Sequence, residues 1–387
     1  MNPGKLWLLP LAAAFLFPAA SAGAATPLKI GFPLPLTGEI PKVGESSKYA
    51  AEMLREEINA QGGLEVGGVK YPLEFIYEDN ESKPESAVSV TLKLINLDEV
   101  VALVGPQSSR QAVPAGGEAN ENKTPMISPW STNPDTTRDR PWVFRAAFLD
   151  PFQAPVAARF AAKQFQAKNA AILFEVSNDY SKGLADFFKL VWEEQGGTVV
   201  AMESHGPRDN DFSAQLTKII SFKPDFIFLP ENYNFAALIV RQGRELGYKG
   251  PFMGSDAWGS AELMELCGDS CKGQYFSTHY AAAGATGATR EFIDKYRAKY
   301  GYVPDDVAAL TWDAVNIILK AIQQGGEVNP DVVKMREIIR ANLASISNFE
   351  GITGNMRFDE QGDPIKCAVV VRISEAGEFT AVESVCP

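Results

Sequence analysis

Between Lys29 and Gly254, short apolar runs alternate with longer amphipathic stretches, and this alternation is what most limits the folds open to the chain. Strands are read at 29–34, 73–77, 100–104 and 125–128, then at 170–174, 198–203, 226–229 and 252–254. Helices are read between them at 48–61, 84–96 and 111–122, then at 151–168, 182–195, 211–221 and 236–246. The first helix carries Ala51, Leu54 and Ile58 at three-to-four spacing and ends at Gly62-Gly63, where a left-handed cap is wanted. Val100 to Val104 is apolar throughout, as a strand covered on both faces must be. Such a pattern specifies an α/β fold, with parallel sheets sandwiched by helices.

The alternation breaks after Tyr280. Three helices follow in succession, at 290–300, 307–324 and 332–341. A closing hairpin is then expected, with strands at 369–373 and 379–382 and the turn at Ala376-Gly377. The length suggests two domains. The break implies that the two α/β units are not simply strung along the chain.

Residues 1–25 read as a secretory signal peptide. Lys5 gives a positive start, Leu6 to Phe17 are mostly apolar, and Ala20-Ser21-Ala22 or Ala22-Gly23-Ala24 offers a small-residue cleavage site. The apolar core is short for a bilayer span. The mature protein is therefore expected to be soluble and exported. Losing Lys5 takes the formal charge from −12 to −13. That charge argues against a surface for nucleic acid or an anionic membrane, which would require a basic patch.

An even number of cysteines in an exported chain favours disulfides. Cys267, Cys271, Cys367 and Cys386 allow three connectivities, and the sequence-local pairs Cys267–Cys271 and Cys367–Cys386 are expected. Four residues apart on a helical turn puts the Cα atoms about 6 Å apart, within disulfide reach. A zinc site would want CxxC spacing or a nearby histidine pair, and neither is present.

Enzyme signatures are scarce. The chain has no Gly-x-Gly-x-x-Gly, no Walker-type loop and no Gly-x-Ser-x-Gly elbow. Its two histidines, His205 and His279, lack metal-ligand or triad-like spacing and read as surface or loop residues. Asp209-Asn210-Asp211 lacks the downstream glycine and glutamate of a calcium loop and reads as a turn and helix cap. No catalytic residue, metal or cofactor is assigned.

Ligands of open α/β sheets bind just beyond the carboxyl ends of the strands. Four such ends carry unusual polar content. "VGPQSSRQ" sets Ser109 at the start of a helix, and "PMISPWSTNP" sets Trp130, Ser131 and Thr132 on a turn bracketed by prolines. "EVSNDYSKG" and "MGSDAWG" place Tyr180 and Asp256 after strands of the second half. A hydroxyl and free backbone N–H groups at a helix start suit a carboxylate. Asp256 suits an ammonium. Together these groups describe a site for the head group of an α-amino acid. Each charge-assisted hydrogen bond is worth roughly 1.5–3 kcal/mol. A few of them, less ordering costs, reach the ~8 kcal/mol of micromolar binding.

In these segments, and in "KIGFPLPLTGEIPKVGE" and "AEMLREEINAQGG", the sequence resembles the periplasmic amino-acid-binding proteins of bacterial ABC transporters, leucine/isoleucine/valine-binding type. The resemblance runs from about Leu28 to about Ile373. It implies a two-lobed type I periplasmic-binding-protein fold with three crossovers. One lobe would hold residues 27–148 and 279–355, and the other 149–278 and 356–387. It implies that Ser109 and Thr132 hold the ligand's α-carboxylate and that the Ser131 carbonyl faces the ammonium. Tyr180 would make a cross-lobe contact and Asp256 would pair with the ammonium. It further implies a monomeric periplasmic receptor serving an ABC permease.

Two departures bear on the ligand. Asp256 is shorter by a methylene than the glutamate usual in that type, so a water can bridge it to the ammonium. Trp130 replaces a small residue and either narrows the pocket or walls it with an aromatic face. An aromatic or other carboxylic acid, or an amide, is the alternative ligand class. A ligand sensor on the same fold is the alternative role.

Overall fold

The computed structural model describes residues 25–260 and 262–387. The segment read as a signal peptide lies outside them except for Ala25.

The first unit opens with β1 (Leu28–Leu34), α1 (Pro41–Ala60), the small hairpin β2 (Leu64–Val66) and β3 (Val69–Tyr71), then β4 (Leu73–Asp79) and α2 (Pro84–Asn96). It continues through β5 (Ala102–Val104), α3 (Ser109–Glu121), β6 (Met126–Ser128) and β7 (Val143–Arg145). The sheet order is β4-β1-β5-β6-β7, and every pairing is parallel. All the carboxyl ends therefore lie along one edge.

The second unit contains α4 (Asp150–Phe165), β8 (Asn169–Glu175), α5 (Asp179–Glu194), β9 (Thr198–His205) and α6 (Ser213–Ser221). It goes on through β10 (Phe226–Leu229), α7 (Tyr233–Glu245), β11 (Phe252–Gly254), α8 (Glu262–Cys267) and β12 (Tyr275–Thr278). The chain then returns with α9 (Gly287–Tyr300), α10 (Asp306–Gln324) and α11 (Val332–Ala344), followed by β13 (Phe349–Gly351), β14 (Gly354–Phe358) and β15 (Pro364–Ile365). Finally β16 (Ala368–Ile373) and β17 (Phe379–Val385) join the second sheet. Its order is β17-β16-β12-β11-β10-β8-β9, parallel from β9 to β12 with β16 and β17 antiparallel at one edge.

Sheet periodicity decides the layers. In the first sheet Ala102, Val104 and Ile127 join the main core on the side of α1 and α10. Leu103 and Met126, one residue out of phase, pack with Leu94, Ile95 and Ala119 of α2 and α3. Both faces of each central strand are thus apolar, which is why these strands show no alternation.

The chain passes between the units after β7, after β12 and after β15. The third passage differs from the expected boundary at residue 356. Phe358 packs edge-on against Phe144 at 5.5 Å, Asp363 accepts from Thr137 Oγ1 at 2.7 Å, and Lys366 Nζ donates to the Ala146 carbonyl. Residues 356–366 thus sit with the first sheet. The crossing lies just before β16, because β14 pairs with β13 and β15 with β14, and neither joins the closing hairpin.

Helix α1 starts seven residues earlier than its apolar period suggests, with Pro41 in its first turn. Gly44 hides the pattern, because a Cβ there would lie 2.3 Å from the Pro35 carbonyl oxygen. The strands missing from the sequence reading, β2, β3, β7 and β12–β15, span five residues or fewer, too short for a period to emerge. Disulfides join Cys267 to Cys271 at the end of α8 and Cys367 to Cys386 beside the paired ends of β16 and β17, with Cα separations of 5.7 and 4.1 Å.

Candidate functional site

The carboxyl edges of the two sheets meet, and the polar loops beyond them are in contact. Ser109 follows β5 at the first position of α3, whose Ncap, Ser108, leaves the helix without a side-chain cap. Free N–H groups at that end suit an anion. Trp130 follows β6. From the other side, Tyr180 lies in the first turn of α5, where the Asn178 side chain accepts from its N–H, and Asp256 lies just beyond β11. Ser109, Trp130, Tyr180 and Asp256, with Ser108, Asn232 and Ala257, line one cavity of about 10 Å³. That is room for about one water molecule, so a larger ligand requires the units to part.

Tyr180 and Asp256 are held as a pair. The tyrosine hydroxyl donates to Asp256 Oδ1 at 2.6 Å and lies 2.7 Å from Ser255 Oγ. The Asp256 N–H donates to Gln153 Oε1, which also accepts from Ser277 Oγ. Burial and the adjacent Asp256 raise the Tyr180 hydroxyl well above its ordinary range, so it remains a donor.

Ser131 and Thr132 are placed differently. Ser131 stands behind Ser109, its Oγ 2.8 Å from Ser109 Oγ and 2.7 Å from Thr136 Oγ1. Its carbonyl accepts from Arg145 Nη1 at 3.0 Å. Thr132 gives its carbonyl to the Asp150 N–H, and its buried hydroxyl has no hydrogen-bond partner among the described residues. Neither residue lines the cavity.

Four buried groups were given no role from the sequence. His279, read as a surface or loop residue, follows β12 in a loop but is buried, with Nε2 3.4 Å from Asp256 Oδ2 and its ring 3.8 Å from that of Phe148. Burial pushes its imidazole down to about 4 despite Asp256, so it is neutral at pH 7. His205 is buried too, paired with Glu231 at 3.1 Å. Asp150 opens α4 beside Asp256, and burial, reinforced by that charge, pushes its carboxyl up to about 8. Asp306 opens α10 and accepts from Trp130 Nε1 at 3.4 Å and from Thr278 Oγ1 at 3.3 Å. The position of Asp150 and of Asp306 at the start of an apolar helix was visible in the sequence, but there it reads only as capping.

Three acidic side chains gather here, two of them pushed by burial toward their neutral form. Asp150, Asp256 and Asp306 are all buried around one point. The imidazole nearest Asp256 carries no charge at neutral pH. A cationic group brought into the cavity would be stabilised there. Among the described residues, no group of three or more His, Cys, Asp or Glu is arranged to hold a metal ion.

The family described as periplasmic binding protein matches residues 27–378. The chain is 32% identical over 347 residues to the leucine-, isoleucine-, valine-, threonine-, and alanine-binding protein of Pseudomonas aeruginosa, covering 89% of both chains. It resembles the crystal structure of the leucine binding protein LivK of Thermotoga maritima with a TM-score of 0.86 and 34% identity, over 93% of this chain and 99% of that one. It also resembles the branched-chain amino acid transporter substrate binding protein LivJ of Streptococcus pneumoniae in complex with isoleucine. There the TM-score is 0.85 and the identity 31%, over 93% of this chain and all of that one (100%).

Proposed function

The chain belongs to the periplasmic binding protein family, and from that premise we propose that it is a receptor for an amino acid, held between its two lobes and delivered to an ABC permease. The relatives' names support the ligand class, because they bind leucine, isoleucine and related amino acids. One observation carries the reading. Ser109 and Trp130 from one sheet edge share a cavity with Tyr180 and Asp256 from the other.

The free N–H groups of α3 and the Ser109 hydroxyl take the ligand's carboxylate. Asp256, oriented by Tyr180, takes its ammonium, and Asp150 stands behind it, pushed by burial toward its neutral form. Contacts to both lobes tie binding to closure, a shift of population toward the closed form. The receptor performs no covalent chemistry and works as a monomer in the periplasm, after removal of residues 1–25. Its first lobe comprises residues 27–148 and 279 to about 366, with the rest of the mature chain in the second.

Isothermal titration with a panel of amino acids and organic acids tests the proposal. At least one α-amino acid should bind at micromolar or tighter concentration, and Asp256→Asn should abolish that binding. If only acids without an ammonium bind, and Asp256→Asn leaves them unaffected, the amino-acid assignment is wrong.

A further inference from the structure

The head-group cavity is not the only space between the lobes. A second cavity of about 490 Å³ lies beside it, walled by Phe276, Tyr280, Ile293 and Phe379, and Asp306 lines it too. Trp130 stands on the head-group side, lining the small cavity while its indole N–H reaches Asp306. Asp306 thus marks the partition between the two spaces.

The bonding of Asp306 is lopsided. Trp130 Nε1 and Thr278 Oγ1 both donate to Oδ2. Oδ1 is buried and has no hydrogen-bond partner among the described residues. It points toward Gly259, where a Cβ would lie only 2.8 Å away, and Gly259 also lines the larger cavity. Gly259 supplies no side-chain donor to that oxygen, which is closed to solvent although both residues line the cavity. A buried carboxyl oxygen without a hydrogen-bond partner is costly, and a ligand that supplies a donor recovers the loss.

Building on the receptor proposal above, we infer that Asp306 reads the far end of the ligand and that this end is a nitrogen donor, an amine or a carboxamide, in place of a hydrocarbon. A ligand held by its head at Asp256 and Tyr180 and extending past Trp130 meets Asp306 Oδ1. A purely aliphatic side chain would leave that oxygen unmatched. Burial, together with Asp305 and Asp256, holds the Asp306 carboxyl well above its ordinary range, and a donated N–H draws it toward the charged form.

Isothermal titration of the full mature chain with norleucine, glutamine and ornithine tests this. Glutamine or ornithine should bind about tenfold or more tightly than norleucine, because a site built to hydrogen-bond rejects the analogue without the donor. Glutamine alone would identify an amide reader, ornithine alone an amine reader. Asp306→Leu should weaken the donor-ended ligand and strengthen norleucine. Asp306→Asn, which keeps the volume, should weaken ornithine more than glutamine, and a thermal melt confirms that each variant is folded. If norleucine or leucine binds more tightly than both donors in the unmodified protein, the inference falls. It also falls if the order is unchanged in both variants. An aliphatic amino acid that binds in an Asp256-dependent way while both donors fail leaves the receptor proposal standing and removes only this one. Failure of every amino acid removes both.

Discussion

Arg110 of the first lobe lies 3.6 Å from Glu175 of the second, and the same guanidinium nitrogen lies 3.5 Å from Glu39 of its own lobe. Asn232, which lines the head-group cavity from the second lobe, donates to Glu39 at 3.0 Å. One cation thus sits between two carboxylates that would otherwise face each other across the cleft.

Removing that cation should loosen closure. Arg110→Ala leaves Glu39 and Glu175 opposed, so the closed form loses about 0.2–1 kcal/mol, a modest figure because the arginine is partly exposed. Titration should show affinity falling by up to about fivefold. Small-angle scattering of the ligand-free variant should show a larger radius of gyration. Unchanged values of both would mean that this contact does not hold the lobes.

The same cluster should make closure pH-dependent. Burial, with the charge of Glu175 adding to it, pushes the Glu39 carboxyl up to about 7, against the opposing influence of Asn232 and Arg110. A carboxyl raised in the contact and ordinary when the lobes part binds its proton preferentially in the closed form. Its contribution is fully present below its ordinary value of 4.5 and is lost as pH rises through about 7. His279 acts in the opposite sense, losing its contribution as pH falls from 6.5 toward about 4. Subtracting the pH profile of Glu39→Gln from that of the unmodified protein, read by ligand affinity, isolates the first effect. The two should be nearly alike at low pH, and the unmodified protein should weaken relative to Glu39→Gln as pH rises toward 8. A flat difference would rule out Glu39 as the titrating group.

Tyr180→Phe should weaken binding without disturbing the fold. The substitution leaves Asp256 Oδ1 without its 2.6 Å donor while keeping the ring in place. The expected loss is about 1–3 kcal/mol in ligand affinity. A smaller loss of melting temperature should accompany it. Ser109→Ala should cost a similar amount in affinity, read by titration against the tightest amino acid. Both variants binding like the unmodified protein would remove the cavity from consideration.

The two disulfides should differ in worth. Cys367–Cys386 spans 19 residues and Cys267–Cys271 spans 4. On the chain-entropy model the long bridge contributes about 3 kcal/mol and the short one about 2 kcal/mol. Denaturant melts of the two double-serine variants should show the Cys367/Cys386 variant as the less stable. The reverse order would mean that strain or residual unfolded structure outweighs loop length.

The layered α/β architecture was legible because a strand buried on both faces and an amphipathic helix each leave a local mark, as at Val100 to Val104 and around Leu54. Strand ends were equally legible, which is how Ser109, Trp130, Tyr180 and Asp256 came forward. The places where the reading slipped are those where the local signal was weak or misleading. Gly44 and its neighbouring serines masked the start of α1, and β14 and β15 were too short to announce the lobe they belong to.

Amino-acid order alone thus determined the class of fold and the polar content of the loops, since both follow from side-chain periodicity over a few residues. Which of those loops share a cavity was decided only when the two lobes met. Trp130 bonds Asp306, 176 residues away, and Tyr180 bonds Asp256 at a separation of 76. His279 ended in the core against Asp256, where burial keeps it neutral. Burial, charge balance and an unpartnered oxygen are properties of neighbours distant in the chain, and no local pattern records them.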